Sequence, residues 1–245
     1  FETKGMPENT AALKDGVLNY DEYRTHSMLI YEKRKEMLHK LIGDHDSGFL
    51  FYYFCSIDLD QHMFWALMDE KHPFHDASES DYNKNFIKTL YQDIDGVIGK
   101  VRRNLREGDT LIVMSDHGFA PFYRTFNLNT WLLENGYLHL KESADRAKLD
   151  ELDFSDVDWS RTQAYGIGFG SLFLNIVGPR DPEGIVKPGE VDILVDEICG
   201  RLMAEKDPEN GKPLFYTMYK GREIYDGAAI ENAPEIVVGF FGGYG

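Results

Sequence analysis

Two stretches decide the fold: Phe49-Leu50-Phe51-Tyr52-Tyr53-Phe54-Cys55-Ser56-Ile57 and, further along, Thr110-Leu111-Ile112-Val113-Met114. Both are continuous apolar runs of strand length without alternation, the pattern of strands covered on both faces. Between them Tyr82, Phe86, Leu90, Ile94, Val97, Val101 and Leu105 recur at steps of three or four, and Gly108 closes the pattern. That spacing predicts a long amphipathic helix. Strand, helix, strand is a βαβ unit, whose right-handed crossover makes the strands parallel. The expectation is an α/β fold with a mainly parallel sheet flanked by helices. The two strands would end at one edge, at Asp58 and Asp116, where open α/β sheets bind ligands.

Working outward, residues 1–20 read as a polar lead-in loop and residues 21–41 as a helix stopped by Gly43. Leu128 to Asn135 predicts a short helix closed by Gly136, with Asn127 as its N-cap. Residues 141–161 are charged and irregular. Residues 171–177 predict a strand and residues 191–203 a helix, with further strands over 214–219 and 235–240. The stretch 165–170 reads as the lead into a strand and not as a phosphate loop, since no Lys-Ser/Thr pair follows it.

The chain has 245 residues, 42 % of them hydrophobic and 28 % charged, which excludes a disordered chain, a collagen and a disulfide scaffold. Its formal charge of −16 repels nucleic-acid backbones, so duplex binding is not expected. A phosphorylated small molecule remains compatible, because bound cations invert the local field. No apolar run reaches the length of a membrane span. Cys55 and Cys199 read as buried filler. The first residue is Phe1 and the chain stops after an apolar run, which suggests a piece of something longer.

Two clusters could carry chemistry. Asp58-Leu59-Asp60-Gln61-His62 follows the first predicted strand and Ser115-Asp116-His117-Gly118-Phe119 the second. Carboxylate oxygen and imidazole nitrogen together suit zinc, or manganese where oxygens dominate. The spacing of Asp58 and His62 lets a tight turn bring both onto one ion, and Gly118 would let the backbone pass close to the site. Either cluster could instead be a turn with Asp as a helix cap. Asp60 could orient His62 or cap a helix. His72 and His75 read as loop residues lining a cleft, and Trp65 and Phe64 as packing. Arg124 is a candidate phosphate contact or a surface ion pair.

The run Asp109-Thr110-Leu111-Ile112-Val113-Met114-Ser115-Asp116-His117-Gly118-Phe119, followed by Arg124, Phe126-Asn127 and Trp131-Leu132-Leu133, resembles the alkaline phosphatase superfamily. Within it the type I phosphodiesterase/nucleotide pyrophosphatase branch is most similar. Asp58 and His62 fit the same branch, as do Gly184-Ile185-Val186 and Pro188-Gly189-Glu190. The resemblance covers residues 48–240 and implies one alkaline phosphatase-like α/β domain over 1–245, incomplete, with an insert over 128–190. It implies two divalent metal ions, zinc foremost and manganese as the alternative. Asp58 and His62 would hold one, and Asp116 and His117 the other. Ions about 4 Å apart clamp an in-line displacement at phosphorus. The implied activity is hydrolysis of a phosphodiester or phosphomonoester; the alternatives are a phosphoglycerate mutase-like phosphotransferase and a non-catalytic binding module.

The branch also needs an upstream Asp, a Thr or Ser nucleophile and a third His. Thr3, Thr10, Thr25 and Ser27 lie in polar or helical surroundings, and His139 follows a predicted helix in a different segment. The expectation is an internal portion of a longer enzyme, inactive alone, whose nucleophile lies outside this chain.

Overall fold

The computed structural model describes residues 8–145 and 153–245. Two compact units divide between Pro121 and Phe122. Thr3, and residues 146–152 of the charged segment, lie outside the described residues.

In the first unit the described elements are helices: α1 (Thr10–Lys14), α2 (Tyr20–Asp44), α3 (Ser56–Met68), α4 (Asp81–Lys84) and α5 (Phe86–Asn104). The predicted lead-in loop therefore contains a short helix. A capping box starts α2: Asn19 Oδ1 accepts from the Glu22 N–H, and the Glu22 carboxylate accepts from the Asn19 N–H, each at 2.9 Å. Tyr23 of α2, Phe64 and Leu67 of α3, and Phe86 and Ile87 of α5 form the core. The Phe64 ring lies 4.6 Å from Phe86 and 5.9 Å from Tyr23, centre to centre. Burying each such side chain contributes about 1.5–3 kcal/mol.

Polar ties fix α2 against its neighbours. Arg34 donates to both Glu8 and Ser56 at 2.5 Å, and buried Ser56 donates to buried Glu8, which anchors the start of α3. The Tyr31 hydroxyl and the Lys35 ammonium of α2 donate to Asp93 of α5 at 2.8 and 2.9 Å.

The two deciding runs depart from expectation. Residues 49–54 and 110–116 make no backbone–backbone hydrogen bonds among the described residues, so neither is a strand and no βαβ unit forms. Ser56 and Ile57 belong instead to α3. The reason is that a strand exists only through its ladder, and a two-sided apolar run requires partners that local sequence does not supply. Phe49, Phe51 and Ile112 are correspondingly 87 %, 65 % and 74 % exposed. Arg106 donates to the Asp46 carbonyl at 2.8 Å before the runs, and His117 lies 3.8 Å from Asp58 after them.

The second unit is mixed α/β. Strand β1 (Phe122–Arg124) pairs in parallel with β6 (Gly243–Tyr244). Helix α6 (Leu128–Glu134) is capped by Asn127, whose Oδ1 accepts from the Thr130 N–H at 3.0 Å, and Gly136 ends it at φ +79°. Then come β2 (Ala164–Ile167), β3 (Ser171–Leu174), α7 (Val191–Ala204), β4 (Phe215–Lys220), α8 (Gly221–Ile224) and β5 (Ile236–Phe240). The order β2-β3-β5-β4 is antiparallel throughout, so the largest sheet among the described residues is not the mainly parallel one expected. Antiparallel pairing needs only a tight turn, and Gly168 at φ +67° and Gly170 at φ +115° supply it between β2 and β3. The predicted 171–177 strand stops at Leu174, because the buried Asn175 side chain turns to the Trp159 and Thr162 carbonyls. Leu132, Leu172, Leu174, Ile198, Leu202 and Ile236 centre this unit's core.

Candidate metal centre

The four predicted ligands all lie in the first unit. Asp58 and His62 sit one turn apart on α3, so the helix itself aims both from one face. No tight turn is involved. Asp58 Oδ1 stands 3.6 Å from His62 Nε2 and 3.8 Å from His117 Nε2, and Asp116 Oδ2 stands 3.6 Å from His117 Nε2. The structure brings the two clusters together as a chain of pairs, His62–Asp58–His117–Asp116. Among the described residues no three His, Cys, Asp or Glu side chains form a closed ion-holding group.

These separations are too long for hydrogen bonds. Donors around a tetrahedral ion with bonds of about 2.0–2.2 Å stand about 3.3–3.6 Å apart, close to what is found. Asp58 Oδ1 is buried and has no hydrogen-bond partner, although it faces both imidazoles. His117 Nδ1 is 2.9 Å from the Gly118 carbonyl, which can only accept, so Nδ1 carries a proton. In the neutral ring the lone pair of Nε2 then points among two carboxylates. A proton or a cation relieves that arrangement. The Gly118 carbonyl and then the Asp116 carboxylate raise the His117 pKa against desolvation, with Asp58 adding to the effect. An Nδ1–H held by a carbonyl is also how metal-bound imidazoles are commonly oriented. Carboxylate oxygens and imidazole nitrogens have the donor chemistry of a divalent-ion site, and here they stand as a chain of pairs.

The loop is shaped by Ser115, whose hydroxyl donates to the His117 carbonyl at 2.6 Å. Gly118 is not required for close approach, since a Cβ there would meet nothing within 4 Å. Phe119 contributes what the sequence reading missed. Its ring meets His62 edge-on at 4.8 Å and Trp65 at 5.2 Å. Its place directly after Gly118 was the available signal.

Asp60 does not orient His62. It is fully buried, and Ser27 of α2 donates to its carboxylate at 2.8 Å, so it ties α3 to α2. Burial pushes its pKa up to about 7, outweighing the Ser27 hydrogen bond. His72 Nδ1 accepts from the Phe74 N–H, and His75 Nδ1 lies 3.1 Å from the Ala66 carbonyl. Thr25 donates to the Asp21 carbonyl, so the Thr25 and Ser27 hydroxyls are spent on local structure. Burial raises both cysteine thiols, which keeps them protonated at neutral pH.

In the second unit the Arg124 guanidinium is held by Glu209 at 2.7 Å and lies 3.5 Å from buried Asp207. Tyr244 and Asn210 also donate to Asp207. His139 belongs to this unit as well, its backbone N–H donating to Thr162 Oγ1 at 2.9 Å.

No helix among the described residues is long and apolar enough to cross a membrane. No curated protein and no solved structure matches the chain. The family model of the type I phosphodiesterases/nucleotide pyrophosphatases, hydrolases of phosphorylated small molecules, matches residues 9–240. Spanning both units and the Asp–His cluster, that match makes this chain a member of the type I phosphodiesterase/nucleotide pyrophosphatase family.

Proposed function

We propose that this chain carries the metal-holding part of a phosphodiester or phosphomonoester hydrolase, in which Asp58, His62, Asp116 and His117 bind two divalent ions. Zinc is the preferred ion and manganese the alternative, given two carboxylates and two imidazoles. The observation that carries the reading is Asp58 Oδ1, buried without a partner between two imidazole nitrogens. When bound there, divalent cations supply Lewis-acid stabilisation of an anionic phosphorus centre.

The chain's own residues prepare that chemistry. The Gly118 carbonyl fixes the His117 tautomer and leaves Nε2 free to coordinate. The helical spacing of α3 sets Asp58 and His62 on one face. Phe119 packs against His62 with the ring centres 4.8 Å apart. A net charge of −16 repels an anionic substrate at long range, and bound cations would offset that locally. No nucleophile is assigned among these residues; residues 1–245 would make up one incomplete alkaline phosphatase-like domain with an insert over 128–190.

The test is calorimetric titration with methylphosphonate, whose P–C bond is not hydrolysed. Binding that requires manganese, is reversed by a chelator, and weakens at least tenfold in Asp58→Asn is expected. Metal-independent binding, or an Asp58→Asn variant equal to wild type, would overturn the reading.

A further inference from the structure

Asp58 is the one carboxylate of the cluster that faces both imidazoles, and what holds it lies outside the cluster. It is the third residue of α3, and Cys55, just before that helix, makes no side-chain capping bond. An uncapped start is set loosely, because its first N–H groups have no intrahelical partner. Here the start is held from the side. The fully buried Ser56 hydroxyl, two residues before Asp58, accepts from the Arg34 guanidinium and donates to buried Glu8, each at 2.5 Å. Arg34 also donates to Glu8 at 2.5 Å, so the three groups close on one another. Burial alone would lower the Arg34 pKa, but the hydrogen bond and charge of Glu8 outweigh it and keep the guanidinium charged. The Tyr52 hydroxyl donates to the Arg34 carbonyl at 2.7 Å, which ties the segment leading into α3 to the same turn of α2. One helical turn beyond Ser56, Ser27 of α2 donates to Asp60 at 2.8 Å. Two buried ties to α2 therefore bracket Asp58, and neither involves its own carboxylate.

We propose that Arg34 is a positioning residue for the metal centre: through Ser56 and Glu8 it sets the entry of α3, and thereby the place of Asp58 Oδ1 between His62 and His117. A ligand set works only when its members are held within about 0.5 Å of the productive geometry, and a shifted helix entry moves Asp58 directly. The inference rests on the metal-holding reading of Asp58, His62, Asp116 and His117.

The test is titration of the full chain with cobalt(II), whose visible absorption reports the geometry of its ligands. Arg34→Met is expected to bind cobalt about tenfold or more weakly than wild type, with an altered visible band. Arg34→Lys keeps the charge and a donor, and should return the affinity to within about threefold of wild type together with the wild-type band. Ser56→Ala breaks the same link with a good helix former, and should shift affinity and band in the direction of Arg34→Met even where Arg34→Met does not fold. Circular dichroism verifies the fold of each variant. A residue that only stabilised the fold would lower the melting temperature and leave both readouts of the folded protein unchanged. Wild-type affinity and band in Ser56→Ala and in folded Arg34→Met would overturn the positioning role and leave the metal-holding reading standing. Wild type that takes up no cobalt would overturn both.

Discussion

At the scale of single residues, Asp58 separates a structural role from a functional one. A buried carboxylate oxygen facing two imidazoles without a hydrogen bond does little for the fold and much for a cation. Asp58→Asn should therefore leave the thermal stability of the metal-free protein within about 0.5 kcal/mol of wild type. The same substitution should abolish the rise in melting temperature that zinc produces, since a ligand stabilises only through its affinity for the folded state. Differential scanning calorimetry with and without zinc checks both halves. A large loss of stability in metal-free Asp58→Asn would make the residue structural. Asp60, two positions on, is the opposite case, because its partner Ser27 comes from another helix and its side chain is wholly inside.

At the scale of elements, the α2–α5 contact carries a pH dependence whose sign can be worked out. Burial opposes ionisation of Asp93, but the Lys35 ammonium and the Tyr31 hydroxyl outweigh it and hold the carboxyl below its usual range. A lowered folded-state pKa gives stability that is present above the unfolded value, near 4, and lost as pH falls through the folded value. Asp93→Ala should cost about 1–2 kcal/mol at neutral pH, because it strands the buried Tyr31 hydroxyl. Its stability should also fall less steeply than that of wild type below pH 4. Urea midpoints at pH 7 and pH 3 measure both, and an equal acid slope in the two proteins would contradict the assignment. Helices α2, α5, α6 and α7 were legible because a periodic apolar face needs no distant partner. Helix α3 was not, since Asp58, Asp60, Gln61 and His62 interrupt its apolar face, and the hydroxyls that donate to the buried Asp60 and Gln61 lie on α2 and α5. The runs at 49–57 and 110–114 have strand composition, but composition does not provide a ladder. The Asp–His cluster was legible as two motifs. The contact of Phe119 with Trp65 was not, because it forms only through tertiary packing.

At the scale of the whole molecule, two units each bury a core of their own, and the family match runs through both. Forty-two acidic residues against twenty-six basic ones give a net field that repels phosphate, and bound cations would invert it locally. The account therefore stands on the cluster holding metal. The measurement that tests it most directly is elemental analysis of the purified chain dialysed against zinc and then against metal-free buffer, beside Asp58→Asn and His117→Ala. The account predicts about one to two retained zinc ions per chain and a clear loss in both variants. Wild type that retains no zinc, or variants that retain as much as wild type, would contradict it.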